Sequence, residues 1–174
     1  LRMVVPFAPG GPVDIVGRML AARLSAQLGQ QVIVDNRPGA GGSVGGELVA
    51  RAAPDGHTSL LASNGTLAIS PHLMKLSYDA ARDLAPVGLV GTSPQALVVP
   101  PSSPAASVKD LVGLARAEPR SINYASSGQG STSHLATELF KSAAAIEMVH
   151  VPYKGAGPAV NDLIAGQTHM MITG

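Results

Sequence analysis

The sequence of 174 residues has no cysteine and no tryptophan, and its aromatic content is three tyrosines and two phenylalanines. Without cysteine, a disulfide framework, a thiolate zinc site and a cysteine nucleophile are all excluded. Charge is scarce as well: 13% of residues are charged, and 12 basic and 11 acidic side chains leave a net charge of +1. These charges are dispersed, which excludes the basic footprint that nucleic acid or an anionic membrane surface requires. An anionic partner has to be small and held locally. No apolar run approaches the roughly 20 residues of a membrane-spanning helix. At Leu1 the chain runs directly into strand-like sequence, without the basic and then apolar segment of a signal peptide. What is plentiful is aliphatic: 45% of residues are hydrophobic, mostly Val, Leu, Ile, Ala and Met, the composition of an α/β protein with buried parallel strands.

Strand-like and helix-like stretches alternate along the chain. Arg2 to Phe7 reads as a buried strand stopped by Pro9, Gly10 and Gly11. A helix follows over 12–29, where Ile15, Val16, Met19, Leu20, Leu24 and Leu28 recur at helical spacing. The pattern continues as a strand at 31–35, a helix at 43–53, a strand at 57–62 and a short helical piece at 66–70. Residues 84–99 are apolar and β-prone. A Pro/Ser cluster, Pro100 to Pro104, then supplies the best linker. Beyond it come a helix at 107–117, strands at 122–125, 148–151 and 169–173, and helices at 131–144 and 158–165. This order predicts parallel sheets with right-handed crossovers. It divides into a first lobe over 1–99, a hinge at 100–104 and a second lobe over 105–174, with no exact internal repeat.

Four loops share one design, in which a strand ends, small or hydroxyl residues follow and a helix begins: 7–14, 36–43, 63–66 and 126–134. In an open α/β sheet such loops gather at the carboxyl edge of the strands, where ligands bind. The unpaired N–H groups of helix N-termini there attract a carboxylate or phosphate without help from Arg or Lys. Each loop taken singly also fits a tight turn or a helix cap; four of one design point to a site.

Other chemistries fit less well. The glycine run Pro38 to Gly45 follows a strand and opens a helix, but Val44 stands where a dinucleotide fingerprint needs glycine, and no P-loop lysine follows. Ser131, His134 and Glu138 share a helical face, yet a metal site needs a third ligand and none is spaced to supply it. His134 fits either a hydrogen-bonding role facing a cleft or a structural role within its helix. No G-x-S-x-G elbow is present, and His57, His72, His150 and His169 stand singly in or near strands, which reads as structural.

Three segments together resemble the periplasmic receptors of tripartite tricarboxylate transporters, also called Bug proteins. The first is Val5-Pro6-Phe7-Ala8-Pro9-Gly10-Gly11 with Asp14 and Arg18, and the second is Asn36-Arg37-Pro38-Gly39-Ala40-Gly41-Gly42 with Pro54-Asp55-Gly56. The third runs from Tyr124-Ala125-Ser126 through Gly130, His134-Leu135 and Glu138-Leu139-Phe140 to His150-Val151-Pro152-Tyr153-Lys154-Gly155 and Pro158-Ala159. The resemblance implies a two-lobed, type II-like periplasmic-binding-protein fold, each lobe a mainly parallel sheet flanked by helices. It also implies a periplasmic location, no cofactor, no metal and no catalytic residue. A small carboxylate would be held by backbone groups, hydroxyls and water, then passed to integral membrane transporter subunits. The matching positions are Phe7, Ala8, Gly10 and Asp14; Ser63 and Asn64; and Ser126, Ser127, Gly130, Ser131 and His134. Asp14, an acid in a first turn, is expected to fix its loop unless the ligand carries an amino group. Family members run longer and cross back to complete the first lobe, so this chain is expected to be a truncated, incomplete form that self-associates through exposed edges. The rival expectations are a nucleotide-dependent or hydrolytic α/β enzyme, and a truncated receptor that has lost its ligand.

Overall fold

A computed structural model describes residues 1–174. The first half is a parallel sheet of β1 (Arg2–Val5), β2 (Ile33–Asn36) and β3 (Thr58–Leu60) in the order β2-β1-β3. Helix α1 (Pro12–Leu28) joins β1 to β2, and α2 (Ser43–Ala50) joins β2 to β3. Because strand side chains alternate, Met3 and Val5 face α1, where Gly17 lets the helix lie against them: a Cβ there would stand 3.0 Å from Val5 Cγ2. Pro6 points the other way, against Gly45 of α2. After β3 the chain makes a helical stretch, Gly65–Ile69 running into α3 (Ser70–Leu73).

The second half has the strand order β4-β7-β5-β6: β4 (Ala96–Val98), β5 (Asn123–Ser126), β6 (Val149–Pro152) and β7 (Met170–Thr173). Around it lie α4 (Val108–Ala117), α5 (Thr132–Ala144) and α6 (Ala156–Ile164). Strands β6-β5-β7 with α5 and α6 repeat the β2-β1-β3 arrangement of the first half, so both halves are one βαβαβ module that the sequence does not betray as a repeat. Tyr124 and Met170 face α4 and α5 within one apolar cluster, while their neighbours Ala125 and Met171 face α6 within another. Burying a methionine side chain fully is worth about 1.5–3 kcal/mol, and Met170 and Met171 are both fully buried.

Three boundaries differ from the sequence reading. Of the β-prone stretch 84–99 only Ala96–Val98 is a strand, and it runs antiparallel to β7. It therefore belongs with the second sheet and not the first, and 61–95 is what links the sheets. Residues 100–104, expected as the hinge, form a turn inside the second half, closed by Ser103 N–H donating to the Pro100 carbonyl at 2.9 Å. Helix α6 starts at Ala156, ahead of Pro158, which sits in the first turn where a missing N–H is harmless.

Candidate functional site

The carboxyl ends of the two sheets face each other. Ala8 N–H donates to the Lys154 carbonyl at 2.9 Å, a main-chain bond from the β1–α1 loop to the β6–α6 loop. Gly155 allows this approach: its φ is 151°, and a Cβ on it would stand 2.7 Å from Ala8 N. On the other side of the seam the β5–α5 loop meets the β2–α2 loop, with Gln129 O against Gly41 and Gly128 beside it. Gly65 lies under the first residues of α5, and Gly130 packs against Ser70, Leu73 and Met74. Glycine recurs along this seam because backbone meets backbone there.

Where α1 and α6 open, the seam widens into a cavity of about 560 Å³. Ala8, Pro9, Gly10, Gly11, Pro12 and Ile15 line it from one half, and Ala156, Gly157, Pro158, Val160, Asn161, Thr173 and Gly174 from the other. Neither Gly11 nor Gly155, the residues that start the two helices, gives its helix a side-chain cap. Two helix N-termini thus open on one space, and each end carries roughly half a positive charge; the lining residues at the two starts that carry an N–H are Gly11, Ala156 and Gly157, because Pro12 and Pro158 have none and the Gly10 N–H is bonded to Asp14. No Lys or Arg lines the cavity.

Of the expected residues, Ala8 and Gly10 line this cavity. Phe7 is buried, with its ring tip towards Gly42. Asp14, 3% exposed, is fully engaged: Gly10 N–H and Arg18 Nε–H donate to Oδ2 at 2.9 and 3.0 Å, and Asn36 Nδ2–H to Oδ1 at 2.9 Å. Burial opposes ionisation of Asp14, but the Arg18 guanidinium with the Gly10 and Asn36 donors holds its carboxyl below the usual range. Asn36 also donates to the Phe7 carbonyl at 3.0 Å, so Asp14 and Asn36 together set the path of the loop. On the third loop Ser63 is half-buried and Asn64 exposed; the inward group is Thr66, fully buried, with Oγ1 3.5 Å from the Gly41 carbonyl.

In the β5–α5 loop the hydroxyls bind one another. Ser133 is the hub: its Oγ accepts Ser127 N–H at 2.8 Å and lies 2.9 Å from Ser127 Oγ and 3.0 Å from Ser131 Oγ. Ser131 caps α5 by accepting His134 N–H at 3.3 Å. Ser126 Oγ accepts Gly128 N–H at 3.2 Å and lies 2.6 Å from His150 Nε2. Gly130 N–H donates to His134 Nδ1 at 3.2 Å. The sequence reading missed Ser133, Thr66 and His150, and with them Ser70, whose buried Oγ faces Gly130 without a hydrogen-bond partner in the chain. It also left out the loop 153–158, although Lys154-Gly155-Ala156-Gly157-Pro158 between a strand and a helix has the design of the four loops it chose.

Burial lowers the basicity of His134, and His150 is pushed down to about 4 by burial and by His134 beside it. Glu138 opposes both shifts. Its own carboxylate, disfavoured by burial, is held ionised by Lys141 at 2.8 Å and the Tyr124 hydroxyl at 2.5 Å. No three His, Asp or Glu side chains converge as a metal site would require, and no helix is long and apolar enough to cross a membrane.

A family model described as "Tripartite tricarboxylate transporter family receptor" matches residues 16–174. A UPF0065 protein from the tcbD–tcbE intergenic region of Pseudomonas sp. strain P51 is 45% identical over 172 residues, 99% of this chain and 51% of its own length. Among solved structures, a periplasmic transporter superposes with a TM-score of 0.96 at 40% identity, covering 99% of this chain and 58% of the other. An R. palustris protein with adipate gives 0.95 at 40% identity, covering 99% and 58%. MatC from Rhodopseudomonas palustris with bound malate gives 0.94 at 34%, covering 99% and 59%. The chain thus spans about half the length of the curated relatives it matches.

Proposed function

This chain belongs to the tripartite tricarboxylate transporter receptor family, and from that premise we propose that it captures a small carboxylate in the seam between its two sheets. One observation carries the reading: two uncapped helix N-termini, from α1 and α6, open on the same 560 Å³ cavity. Aligned N–H groups supply positive potential without a side-chain cation. A ligand bearing carboxylates on a short apolar chain matches a wall of Ala, Pro, Ile and Val with few polar groups, and two neighbours in the family hold adipate and malate. In this reading Ala8 and Gly10 stand closest to the ligand with Gly11, Ala156 and Gly157. Phe7, Asp14, Ser126, Ser127, Ser131 and His134 shape the loops, and Ser63, Asn64 and Gly130 line the rest of the seam. The captured anion is released unchanged, in the periplasm, to integral membrane subunits of the transporter.

An enzymatic reading meets a geometric objection. Ser126 and His150 are within hydrogen-bonding distance, as a nucleophile and its base would be. However, Ser126 is fully buried, and Glu138, the acid nearby, bonds to Tyr124 and Lys141 rather than orienting the imidazole.

Thermal unfolding of this chain against a panel of adipate, malate, citrate and acidic amino acids tests the proposal. A ligand at a hundred times its dissociation constant adds about 2.7 kcal/mol to stability, so at least one member is expected to raise the midpoint by several degrees. A flat response across the panel overturns the reading.

A further inference from the structure

The β5–α5 loop that closes on the first half is held from behind by a stacked pair of histidines. His134 Nδ1 accepts Gly130 N–H, and His150 Nε2 meets Ser126 Oγ, so each ring grips one end of the loop. The ring centres lie 4.2 Å apart with planes inclined by 15°. Tyr124 stacks on His150 at 4.8 Å. On its outer side Gly130 rests on Ser70, Leu73 and Met74 of the first half.

We propose that His134 and His150 are positioning residues that hold the loop closed only while His134 is neutral, so that closure of the seam depends on protons. A neutral imidazole has one acceptor nitrogen, and in His134 that nitrogen receives Gly130 N–H. Protonation turns Nδ1 into a donor and sets N–H against N–H at a buried position, which costs the bond and leaves Gly130 unpaired. The stacked His150 ring allows no easy retreat. The charged and titratable groups facing the pair are Glu138 and Lys141 from α5 and Tyr124 from β5. Glu138 favours the cation but is already bonded to Lys141 and Tyr124. The side chains of the first half against Gly130 carry no titratable group. Opening lifts Gly130 off Ser70, Leu73 and Met74 and lets the loop leave His134 Nδ1 free to take a proton more readily, whereas the closed form keeps the ring neutral to below the ordinary histidine value. Closure is therefore fully favoured above that value and weakens as pH falls below it.

The inference rests on the capture reading only for its purpose, because closure is a property of the chain without ligand. The absence of native cysteine allows two dyes to be placed at Ala26→Cys on α1 and Leu139→Cys on α5, both exposed. Energy transfer is then followed from about pH 8 to about pH 4, a range spanning ordinary histidine titration, with circular dichroism confirming the fold. Transfer is expected to fall with acid in the parent and to stay constant in His134→Asn, whose Oδ1 takes the place of Nδ1 and does not titrate. A parent distance that ignores pH overturns the proposal, as does the same acid opening in His134→Asn. Should that variant not fold, the His134 ring is titrated by NMR in the parent. Titration in step with the distance change supports the inference, and titration without it is fatal. Failure of every carboxylate to bind sinks the capture reading, while the distance measurement still decides this one.

Discussion

Asp14 shows how a single buried residue fixes the path of a loop through its own hydrogen bonds. It anchors Gly10, Arg18 and Asn36 at once from a buried position. Removing a buried acceptor and leaving its donors unpaired costs about 1–3 kcal/mol, so Asp14→Ala, which strands Gly10 N–H and Asn36 Nδ2–H while the half-exposed Arg18 turns to water, is expected to lose about 2 kcal/mol in urea unfolding at neutral pH. The sign of its pH dependence follows from the lowered carboxyl pKa. The contribution is complete above the ordinary aspartate value and lost as pH falls through the lower folded value, so the gap between parent and variant closes in acid. Gly155 is the second residue of this kind. With φ at 151° and Ala8 N in the way of a Cβ, Gly155→Ala is expected to break the Ala8–Lys154 bond and open the seam. The radius of gyration in solution scattering would then rise while the far-UV spectrum stays unchanged. The role expected of Asp14 was readable from an acid in a first turn, and its partner Arg18 stands one helical turn on; its partner Asn36 was not readable, because it lies 22 residues away and only the β1–β2 pairing brings it close.

Among the elements, α5 depends on its start. Ser131 accepts His134 N–H, and Ser133 gathers Ser127 and Ser131. Loss of an N-cap hydroxyl costs about 1 kcal/mol, so Ser131→Ala is expected to lower the urea midpoint by a corresponding amount with an unchanged slope. Helix positions were legible because apolar residues recur at helical spacing and Pro12, Gly29 and Ser107 sit at the ends where capping rules place them. The one failed strand, 84–95, has the right composition and no partner. A β-prone run becomes a strand only where another edge receives it, and here only Ala96–Val98 finds β7.

In the whole molecule the two halves are unequal. Both contiguous apolar clusters, of eight and five buried residues, lie in the second half. Protection follows buried apolar contact, so amide hydrogens of β5 and β7 are expected to exchange markedly more slowly than those of β2 and β3. The linking segment adds a surface term: Val87 and Leu89 are 99% and 84% exposed, an unpaired apolar stretch of the kind that invites strand pairing between copies. If it carries the expected self-association, Val87→Lys with Leu89→Lys will lower the mass seen by light scattering at high concentration, and an unchanged mass rules this stretch out as the contact.

By itself the sequence determined the α/β class, the alternation of strands and helices and the small-residue loops that follow the strands, because periodicity, Gly/Pro punctuation and capping are local properties of the chain. Only the tertiary structure decided that β4 joins the second sheet, that the loop at 153–158 faces 7–12 across a cavity, and that His150, an isolated strand histidine on paper, stacks on His134 behind the closing loop. Each of these depends on contacts between residues far apart in sequence, where spacing carries no information. The small-residue design read in the loops did describe this seam, but its glycines serve the approach of one backbone to another, and its serines mostly hold each other.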